Sequence, residues 1–307
     1  MKILITGATG FLGAHLRKKL EEEGHDIVGI GSKDCDLTKE DSLKNKFADE
    51  KFDQIFHLAA WTQAGDFCLK HPGEQWIINQ KINTHVLSWW SEFQPQAKMI
   101  CMGTSCAYDP SLDLSEENYM RGKPIESLFT YAQTKRMLYA GLLALNKQFG
   151  LKYMYFIPST LYGHGYHTDG RQMHFVFDLI RKILEAKFYS KKVVLWGDGN
   201  QRRELVFVDD FVDIMMDINE KHENDIVNIG AKEEYSIKEF AQAICDIVDY
   251  DFEKIEFDTS KYVGAKSKHL MSEKMQSLYD VELKPLNEGL KKTIDWMIKN
   301  KDLVLSE

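Results

Sequence analysis

The chain has 307 residues, of which 44% are hydrophobic, and a formal net charge of −8. This length supports one large core or a core with a smaller lobe, and the lack of a basic excess argues against a nucleic-acid partner. Five cysteines without a CxxC pair argue against a metal site or a disulfide framework and favour a reducing compartment. The opening apolar run is too short for a signal peptide, and no stretch is long enough to cross a membrane. We therefore predict a cytoplasmic protein without a membrane partner.

Apolar runs rich in β-formers alternate with helical patterns through the first half of the chain. The predicted strands are Lys2–Thr6, Asp26–Ile30, Gln54–Leu58, Lys98–Met102 and Lys152–Ile157. The predicted helices between them are Gly10–Glu23, Lys39–Ala48, Glu74–Phe93 and Leu128–Phe149. This alternation with short connections is typical of the α/β class with a doubly wound parallel sheet, the Rossmann arrangement.

Beyond Tyr162 the pattern becomes less regular. A loop rich in Gly and His is followed by the remaining predicted elements, which are the helices Met173–Ala186 and Val208–Asn219, the strands Val193–Trp196, Val206–Val208 and Ile226–Ile229, and a mainly helical stretch, Ser236–Lys301. We predict a nucleotide-binding domain over 1–163 plus 204–232 and a smaller, mostly helical substrate lobe over 164–203 plus 233–307. The cleft between two such domains is the expected ligand site.

A glycine-rich turn follows the first predicted strand and opens the first predicted helix. Gly7, Gly10 and Gly13 have the spacing that permits a tight turn, the approach of a pyrophosphate to the helix N-terminus, and close packing of helix on sheet. With strand before and helix after, the turn predicts a dinucleotide site. Its predicted contacts also include Thr9, Phe11 and Leu12.

The end of the second predicted strand indicates which dinucleotide binds. An NAD enzyme usually places an acidic residue near Gly31 to bind the ribose 2′-hydroxyl. Here Ser32 and Lys33 offer a hydroxyl and an ammonium, which suit a 2′-phosphate, so NADP is favoured over NAD. Asp36 and Leu37 are assigned to the edge of the adenine by their position alone.

Tyr131 and Lys135 lie at i and i+4 of a predicted helix and therefore share one face. An adjacent ammonium favours the phenolate and should bring the pKa of the tyrosine closer to neutrality. Reduction of a ketone by a nicotinamide needs such a proton donor at the oxygen. Thr104, just past the predicted strand Lys98–Met102, offers a hydroxyl to the same oxygen.

These features, together with His57-Leu58-Ala59-Ala60, Pro158–Gly163 and Val208-Asp209-Asp210, resemble the extended short-chain dehydrogenase/reductase family from Met1 to about Asn300. The resemblance implies that Tyr131 is the acid–base and that Lys135 binds the nicotinamide ribose. It also implies a nucleotide-sugar substrate and a homodimer formed through the helices Glu74–Phe93 and Leu128–Phe149. The further cofactor contacts that it implies are Leu58, Ala59, Ala60, Asn79, Pro158, Thr160 and Leu161.

Within that family the chain is similar to the GDP-L-fucose synthases, which act on a GDP-4-keto-6-deoxyhexose. The similar segments are Thr104–Tyr108 (TSCAY), His174 beyond the Leu-Tyr-Gly turn, and Trp196–Glu204 (WGDGNQRRE). A ketone at C4 acidifies the hydrogens at C3 and C5, and a thiolate and an imidazole titrate near neutrality. Cys106 and His174 are therefore predicted to be the epimerising pair, with Cys106 as the base. The other predicted substrate contacts are Ser105, Lys182, Trp196, Arg203 (at the diphosphate) and Lys268.

Three departures from the family pattern leave alternatives open. Ser159-Thr160 stands where Thr-Asn is usual, Thr104 replaces a serine, and the loop 164–171 lacks the usual Pro and Asp-Asn. The sugar is then a hexose or a heptose, and loss of the epimerisation at C3, at C5 or at both is an open alternative. A C4-ketoreductase alone and a non-catalytic NADP-binding module remain as alternatives. A 4,6-dehydratase would need Asp-Glu where Ser105-Cys106 stands, and a UDP-sugar 4-epimerase needs no Cys/His pair.

Overall fold

The computed structural model describes residues 1–261, 266–280 and 282–306, and the chain divides into two units. The first unit consists of Met1–Pro158, Phe211–Ile229 and Leu270–Asp280. The second consists of Ser159–Asp210, Gly230–His269 and Val281–Glu307. The predicted division at 163 and 204 therefore differs from the observed one. Residues 159–163, 204–210 and 230–232 group with the second unit, and 270–280 with the first.

The helices and strands of the described residues are numbered in chain order. The strands are β1 (Lys2–Thr6), β2 (Asp26–Ile30), β3 (Gln54–His57), β4 (Lys98–Met102), β5 (Tyr153–Pro158), β6 (Thr160–Tyr162), β7 (Val193–Trp196), β8 (Arg202–Arg203), β9 (Leu205–Phe207), β10 (Asp225–Ile229), β11 (Tyr235–Ser236) and β12 (Ile255–Asp258). The helices are α1 (Phe11–Glu22), α2 (Ser42–Lys46), α3 (Phe67–Lys70), α4 (Pro72–Phe93), α5 (Phe129–Phe149), α6 (Phe175–Tyr189), α7 (Val208–Lys221), α8 (Ile237–Val248), α9 (Glu273–Leu278), α10 (Leu286–Lys299) and α11 (Lys301–Val304). Among the described residues, no helix combines the length and the apolar content that a membrane span requires.

Six strands of the first unit form one sheet in the order β2-β1-β3-β4-β5-β10, with every neighbouring pair parallel. The order reverses between β1 and β3, which is the switch point where a doubly wound sheet opens a crevice at the carboxyl ends of its strands. The strands β3, β4 and β5 are almost continuously buried, as parallel strands covered on both faces must be. The predicted α/β doubly wound fold is confirmed.

The second unit contains helices and short strand pairs. The strands β6 and β9 pair in parallel, as do β7 and β12, whereas β8 and β11 pair antiparallel. The helices α6, α8 and α10 contact one another and bury apolar residues. The predicted strand Val206–Val208 is observed as β9, one residue earlier, outside the six-stranded sheet.

The glycine-rich turn is closely packed. Gly7 has a φ of +72°, which a residue with a side chain rarely adopts. A Cβ added to Gly13 would lie 2.2 Å from the Gly7 carbonyl oxygen and 2.9 Å from the Ala8 Cα. Helix α1 can therefore lie this close to β1 only because residue 13 has no side chain.

Replacing Gly13 by alanine should lower the free energy of unfolding by about 1–3 kcal/mol, because the new methyl group overlaps backbone atoms that cannot move away easily. Denaturant unfolding of the ligand-free protein measures this change. Gly73→Ala is the matched control, since nothing lies within 4 Å of a Cβ at that position in α4. Equal stability of the two variants would contradict the close packing of the turn.

Candidate active site

Tyr131 and Lys135 lie on one face of α5, with the Lys135 Nζ 5.9 Å from the centroid of the Tyr131 ring. Lys135 is only 5% exposed, and burial lowers its pKa to about 8. Burial also raises the pKa of Tyr131, and the nearby Cys106 thiol raises it further. The expectation that the ammonium brings the pKa of the phenol towards neutrality is wrong for the protein alone, because desolvation outweighs the charge. Tyr131 is therefore a protonated phenol at neutral pH.

The segment after β4 brings a thiol near this tyrosine and a hydroxyl next to the residue that carries the thiol. The Thr104 Oγ1 accepts the Cys106 N–H at 3.3 Å and so begins a short 3₁₀ turn over Ser105–Ala107. Because its oxygen accepts that bond, the Thr104 hydroxyl keeps its hydrogen for another acceptor. The turn contacts α5. Cys106 is partly exposed, whereas Ser105 is buried and so are the other four cysteines, which are Cys35, Cys68, Cys101 and Cys245.

The glycine-rich turn leaves backbone donors at the start of α1. Gly10 is the N-cap residue and has no side chain to cap the helix, so the first N–H groups suit a phosphate. A Cβ on Gly7 would lie 2.9 Å from the Ala59 nitrogen, which brings the loop after β3 against the turn. The structure therefore groups the predicted residues Leu58–Ala60 with the glycines.

At the end of β2, Ser32 and Lys33 are exposed, as a contact with a phosphate requires. Sequence reasoning missed Asp34, whose carboxylate accepts the Gly31 N–H at 2.8 Å. The signal was an aspartate three residues after Gly31, a common turn pattern. Gly31 itself lies against Thr9, since a Cβ there would be 3.0 Å from the Thr9 Oγ1.

The residues assigned to the adenine and to the loop after β3 have partners within the protein. The Asp36 carboxylate accepts the backbone N–H and the hydroxyl of Thr38, and Leu37 is 8% exposed. The Asn79 Oδ1 accepts the Trp61 N–H at 2.8 Å, and its Nδ2 donates to the Trp61 carbonyl at 3.0 Å. The Asn79 amide thus holds the loop that carries Ala59 and Ala60.

His57, at the end of β3, forms a buried hydrogen-bonded chain beside Lys135. Its Nδ1 lies 2.9 Å from the Thr6 Oγ1, and its Nε2 lies 3.2 Å from the Asn83 Oδ1. The Asn83 Nδ2 donates to the Thr134 carbonyl of α5. Since an amide oxygen only accepts, His57 carries its hydrogen on Nε2 and is neutral. Burial, and then the charge of Lys135, lower its pKa to about 4.

The second unit holds the other predicted residues. His174 is the N-cap residue of α6 and has an exposed residue surface. Desolvation of its ring by the surrounding protein, and then the charges of Lys268 and His167, lower its pKa to about 4. The structure thus brings His174 near Lys268, and also near His167, which sequence reasoning did not assign to the site. The remaining predicted positions are Lys182, paired with Asp178 at 3.0 Å, Trp196, 62% exposed, Arg203 in β8, and Thr160 and Leu161 in β6.

We expect the native protein to lose stability as the pH falls from about 6.5 to about 4. In this range His57 is protonated in the unfolded state but stays neutral in the folded state, where its pKa is about 4. The difference lowers the free energy of unfolding by up to about 3 kcal/mol. Urea unfolding at several pH values measures the effect. His57→Gln, which keeps a side-chain amide there, should flatten this part of the profile, and an unchanged slope in that variant would show that other groups cause the loss.

The chain is similar in sequence to a family of known enzymes. The family model described as the NAD dependent epimerase/dehydratase family matches residues 3–230. The GDP-L-fucose synthase of Dictyostelium discoideum is 29% identical over 309 residues, covering 97% of this chain and 95% of the relative.

Solved structures agree in fold. The GDP-L-fucose synthetase of Naegleria fowleri bound to NADP has a TM-score of 0.86 at 24% identity and covers 98% of this chain and 95% of its own. The GDP-mannoheptose C4 reductase of Campylobacter jejuni with NADP bound has a TM-score of 0.82 at 22% identity, with 97% and 98% covered. The family model spans most of the chain, and its match confirms the enzyme family that the motifs predicted. The chain belongs to the NAD dependent epimerase/dehydratase family, the extended short-chain dehydrogenases/reductases.

Proposed function

We propose that the protein is an NADPH-dependent epimerase and 4-ketoreductase of a GDP-4-keto-6-deoxy sugar, a hexose or a heptose. The observation that carries this proposal is the grouping of a partly exposed thiol, Cys106, with the protonated phenol of Tyr131 and the strand-end hydroxyl of Thr104. The likeness to a GDP-L-fucose synthase along 97% of the chain supports a GDP-linked substrate.

The first unit would hold NADPH through the glycine-rich turn, Ser32, Lys33 and Lys135. The cofactor supplies a hydride to the carbonyl carbon when it is bound. The exposed ammonium of Lys33 suits the 2′-phosphate, and the Asp34 carboxylate already accepts the Gly31 N–H. With a pKa of about 8, Lys135 is mostly charged at neutral pH and can donate to the ribose hydroxyls.

Reduction at C4 needs two donors at one oxygen. The Thr104 hydroxyl, whose oxygen accepts the Cys106 N–H, donates its hydrogen to the C4 carbonyl. Tyr131 donates a second hydrogen bond and then transfers its proton to the same oxygen as the alkoxide forms. Its raised pKa keeps the phenol protonated until that moment.

Epimerisation uses the same two donors. The Cys106 thiolate removes the hydrogen at C3 or C5, and Thr104 and Tyr131 stabilise the charge that moves to the C4 oxygen. His174 would return a proton to the other face. Its pKa of about 4 means a neutral ring in the free protein, and the negative diphosphate of the substrate would raise that pKa.

A C4-ketoreductase without epimerase activity is the second candidate. The low pKa of His174 favours it, because a neutral imidazole is a weak acid at pH 7. In that enzyme Thr104 and Tyr131 keep their roles, while Cys106 does no chemistry.

We expect the native protein to oxidise NADPH with GDP-4-keto-6-deoxymannose and, in heavy water, to place deuterium at C3 and C5. Cys106→Ser should lower deuterium incorporation by roughly 10²-fold or more, since a serine hydroxyl is a far weaker acid than a thiol. Tyr131→Phe should lower reduction by a similar factor because the proton donor is gone. The absorbance of NADPH and the mass of the product measure both activities.

Cys245→Ser, at a buried thiol of α8 in the second unit, is the control and should leave both activities intact. Reduction without deuterium incorporation in the native protein would refute epimerisation and support the second candidate, a C4-ketoreductase without epimerase activity. Tight NADPH binding without turnover of any GDP-4-keto sugar would refute the enzymatic proposal and favour a non-catalytic module.

We also propose that the protein is a homodimer that pairs α4 and α5 with the same helices of a second copy. A groove of about 650 Å³ lies between these helices, and four exposed apolar side chains line it, namely Trp76, Ile77, Phe129 and Met137. Trp89 and Trp90, on the same helix as Trp76, are buried core residues. An apolar strip of this kind on a water-facing surface is typical of a protein–protein contact.

Ile77→Glu should convert the dimer to a monomer, because a carboxylate would be buried without a partner at the centre of the contact. Size-exclusion chromatography with light scattering measures the mass. Leu303→Glu, at a 66% exposed position of α11, is the control and should keep the native mass. A monomeric native protein at micromolar concentration would contradict the proposal.

A further inference from the structure

Two buried tyrosine hydroxyls connect the backbone of α5 to the end of β4. Tyr119 and Tyr155 have 0% exposed surface, and their hydroxyl oxygens lie 3.0 Å apart. The Tyr155 hydroxyl also lies 2.8 Å from the backbone carbonyl oxygen of Lys135. At the other end, the Tyr119 hydroxyl lies beside the backbone of Gly103 and Thr104, and the Thr104 backbone partly offsets the rise in the pKa of this phenol that burial causes. These four groups form a continuous chain from Thr104 to Lys135.

The number of available hydrogens determines the direction of each bond. A phenol has one hydrogen to donate, and a carbonyl only accepts. Tyr155 therefore donates to the Lys135 carbonyl, and Tyr119 donates to the Tyr155 oxygen. The Tyr119 oxygen is then left to accept from the Thr104 N–H, and the Thr104 backbone does favour the ionised form of this phenol. Donors aligned in one direction polarise and strengthen one another.

The packing around the two rings leaves them little freedom. A Cβ on Gly103 would lie 2.7 Å from the Tyr155 Cε1 and 3.1 Å from the Tyr119 hydroxyl oxygen. The two rings meet edge to face with their centroids 5.6 Å apart. Tyr155 is anchored in β5, where it pairs with Cys101 of β4. The hydroxyl chain therefore has rigid supports on both sides.

We propose that Tyr119 and Tyr155 are positioning residues that hold α5 and the end of β4 in the alignment that catalysis needs. This inference rests on the proposed function, in which Thr104 binds the C4 oxygen and Lys135 binds the ribose. Those two residues come from separate elements, and a misplacement of about 1 Å can lower a rate about 10²-fold. The tyrosine chain joins their backbones directly.

A buried hydroxyl needs a hydrogen-bond partner whether or not it affects catalysis. The experiment must therefore distinguish a positioning role from a role in stability alone. Tyr139 provides the comparison within the same cluster. Its ring lies 4.9 Å from that of Tyr155, and its hydroxyl interacts with that of Tyr153 instead of with the backbone of a proposed active-site residue. Tyr139→Phe thus removes a hydroxyl from the same cluster without breaking the chain between Thr104 and Lys135.

Steady-state kinetics is the first test. Tyr119→Phe and Tyr155→Phe should each lower kcat for reduction by roughly 10- to 100-fold, with the KM for the nucleotide sugar and the Kd for NADPH changed by about twofold at most. The double variant should be no slower than the slower single variant, because either change breaks the same chain. Tyr139→Phe should keep the native kcat. Unchanged kcat in both single variants, an equal loss in Tyr139→Phe, or losses that multiply in the double variant would overturn the proposal.

Hydrogen exchange tests the chain without turnover. In Tyr119→Phe the Thr104 amide loses its acceptor, so its exchange should accelerate by roughly 10-fold or more, while Tyr139→Phe leaves it unchanged. Native protection of this amide in Tyr119→Phe would show that the connection does not exist. If the native protein fails to reduce any GDP-4-keto sugar, the proposed function fails, and the exchange result still decides whether the chain joins α5 to β4.

Discussion

The buried ammonium of Lys135 is the constraint to which much of the first unit conforms. It is 5% exposed, and the part of the chain that the structure describes offers it no carboxylate ion pair. An ammonium taken out of water without an ion pair needs hydrogen-bond acceptors around it and neighbours that carry no positive charge. The neighbours fit this condition, since burial keeps His57 neutral and Tyr131 protonated. The surroundings of Lys135 are thereby kept free of competing charges.

The same region shows how side chains fix the position of a helix. Successive carbonyls of α5 each accept a hydrogen bond from another element, Thr134 from Asn83 of α4 and Lys135 from Tyr155 of β5. Bonds to two adjacent carbonyls resist both rotation and sliding of the helix. They act at the turn that carries Lys135, one turn beyond Tyr131. The position of the helix face that carries Tyr131 and Lys135 is thus fixed by hydrogen bonds to the helix backbone.

The sequence predicted the sheet well because buried parallel strands are continuous apolar runs. The bounds of β1, β2, β4 and β7 agree with the predicted ones. The predicted helix Lys39–Ala48 is shorter, as α2, because the Asp36 carbonyl accepts the Lys39 N–H and the Ser42 hydroxyl and so forms a turn first. The grouping of Leu270–Asp280 with the sheet was not predictable either, since it depends on distant contacts such as the Asn228 amide with the Met271 carbonyl.

Part of the candidate site could also be predicted from the sequence. The i, i+4 pair Tyr131 and Lys135 and the strand-end segment at Thr104 are local patterns, and the structure brings them together. The direction in which the pKa of Tyr131 shifts could not be predicted, because it depends on how deeply the fold buries the phenol. Tyr119 and Tyr155 carried no signal at all, since nothing in their spacing marks two tyrosines whose hydroxyls meet. Long-range geometry of this kind exists only after folding.

The division of the chain into interleaved segments has a consequence for biosynthesis. The outer strand β10 binds Leu270–Asp280 through the Asn228 amide and through the ion pair of Lys274 with Asp225, at 2.5 Å. The ribosome adds these residues after most of the second unit has been made. The nascent first unit therefore leaves the exit tunnel with one edge of its sheet uncovered, and that edge is exposed to chaperones until translation is nearly complete.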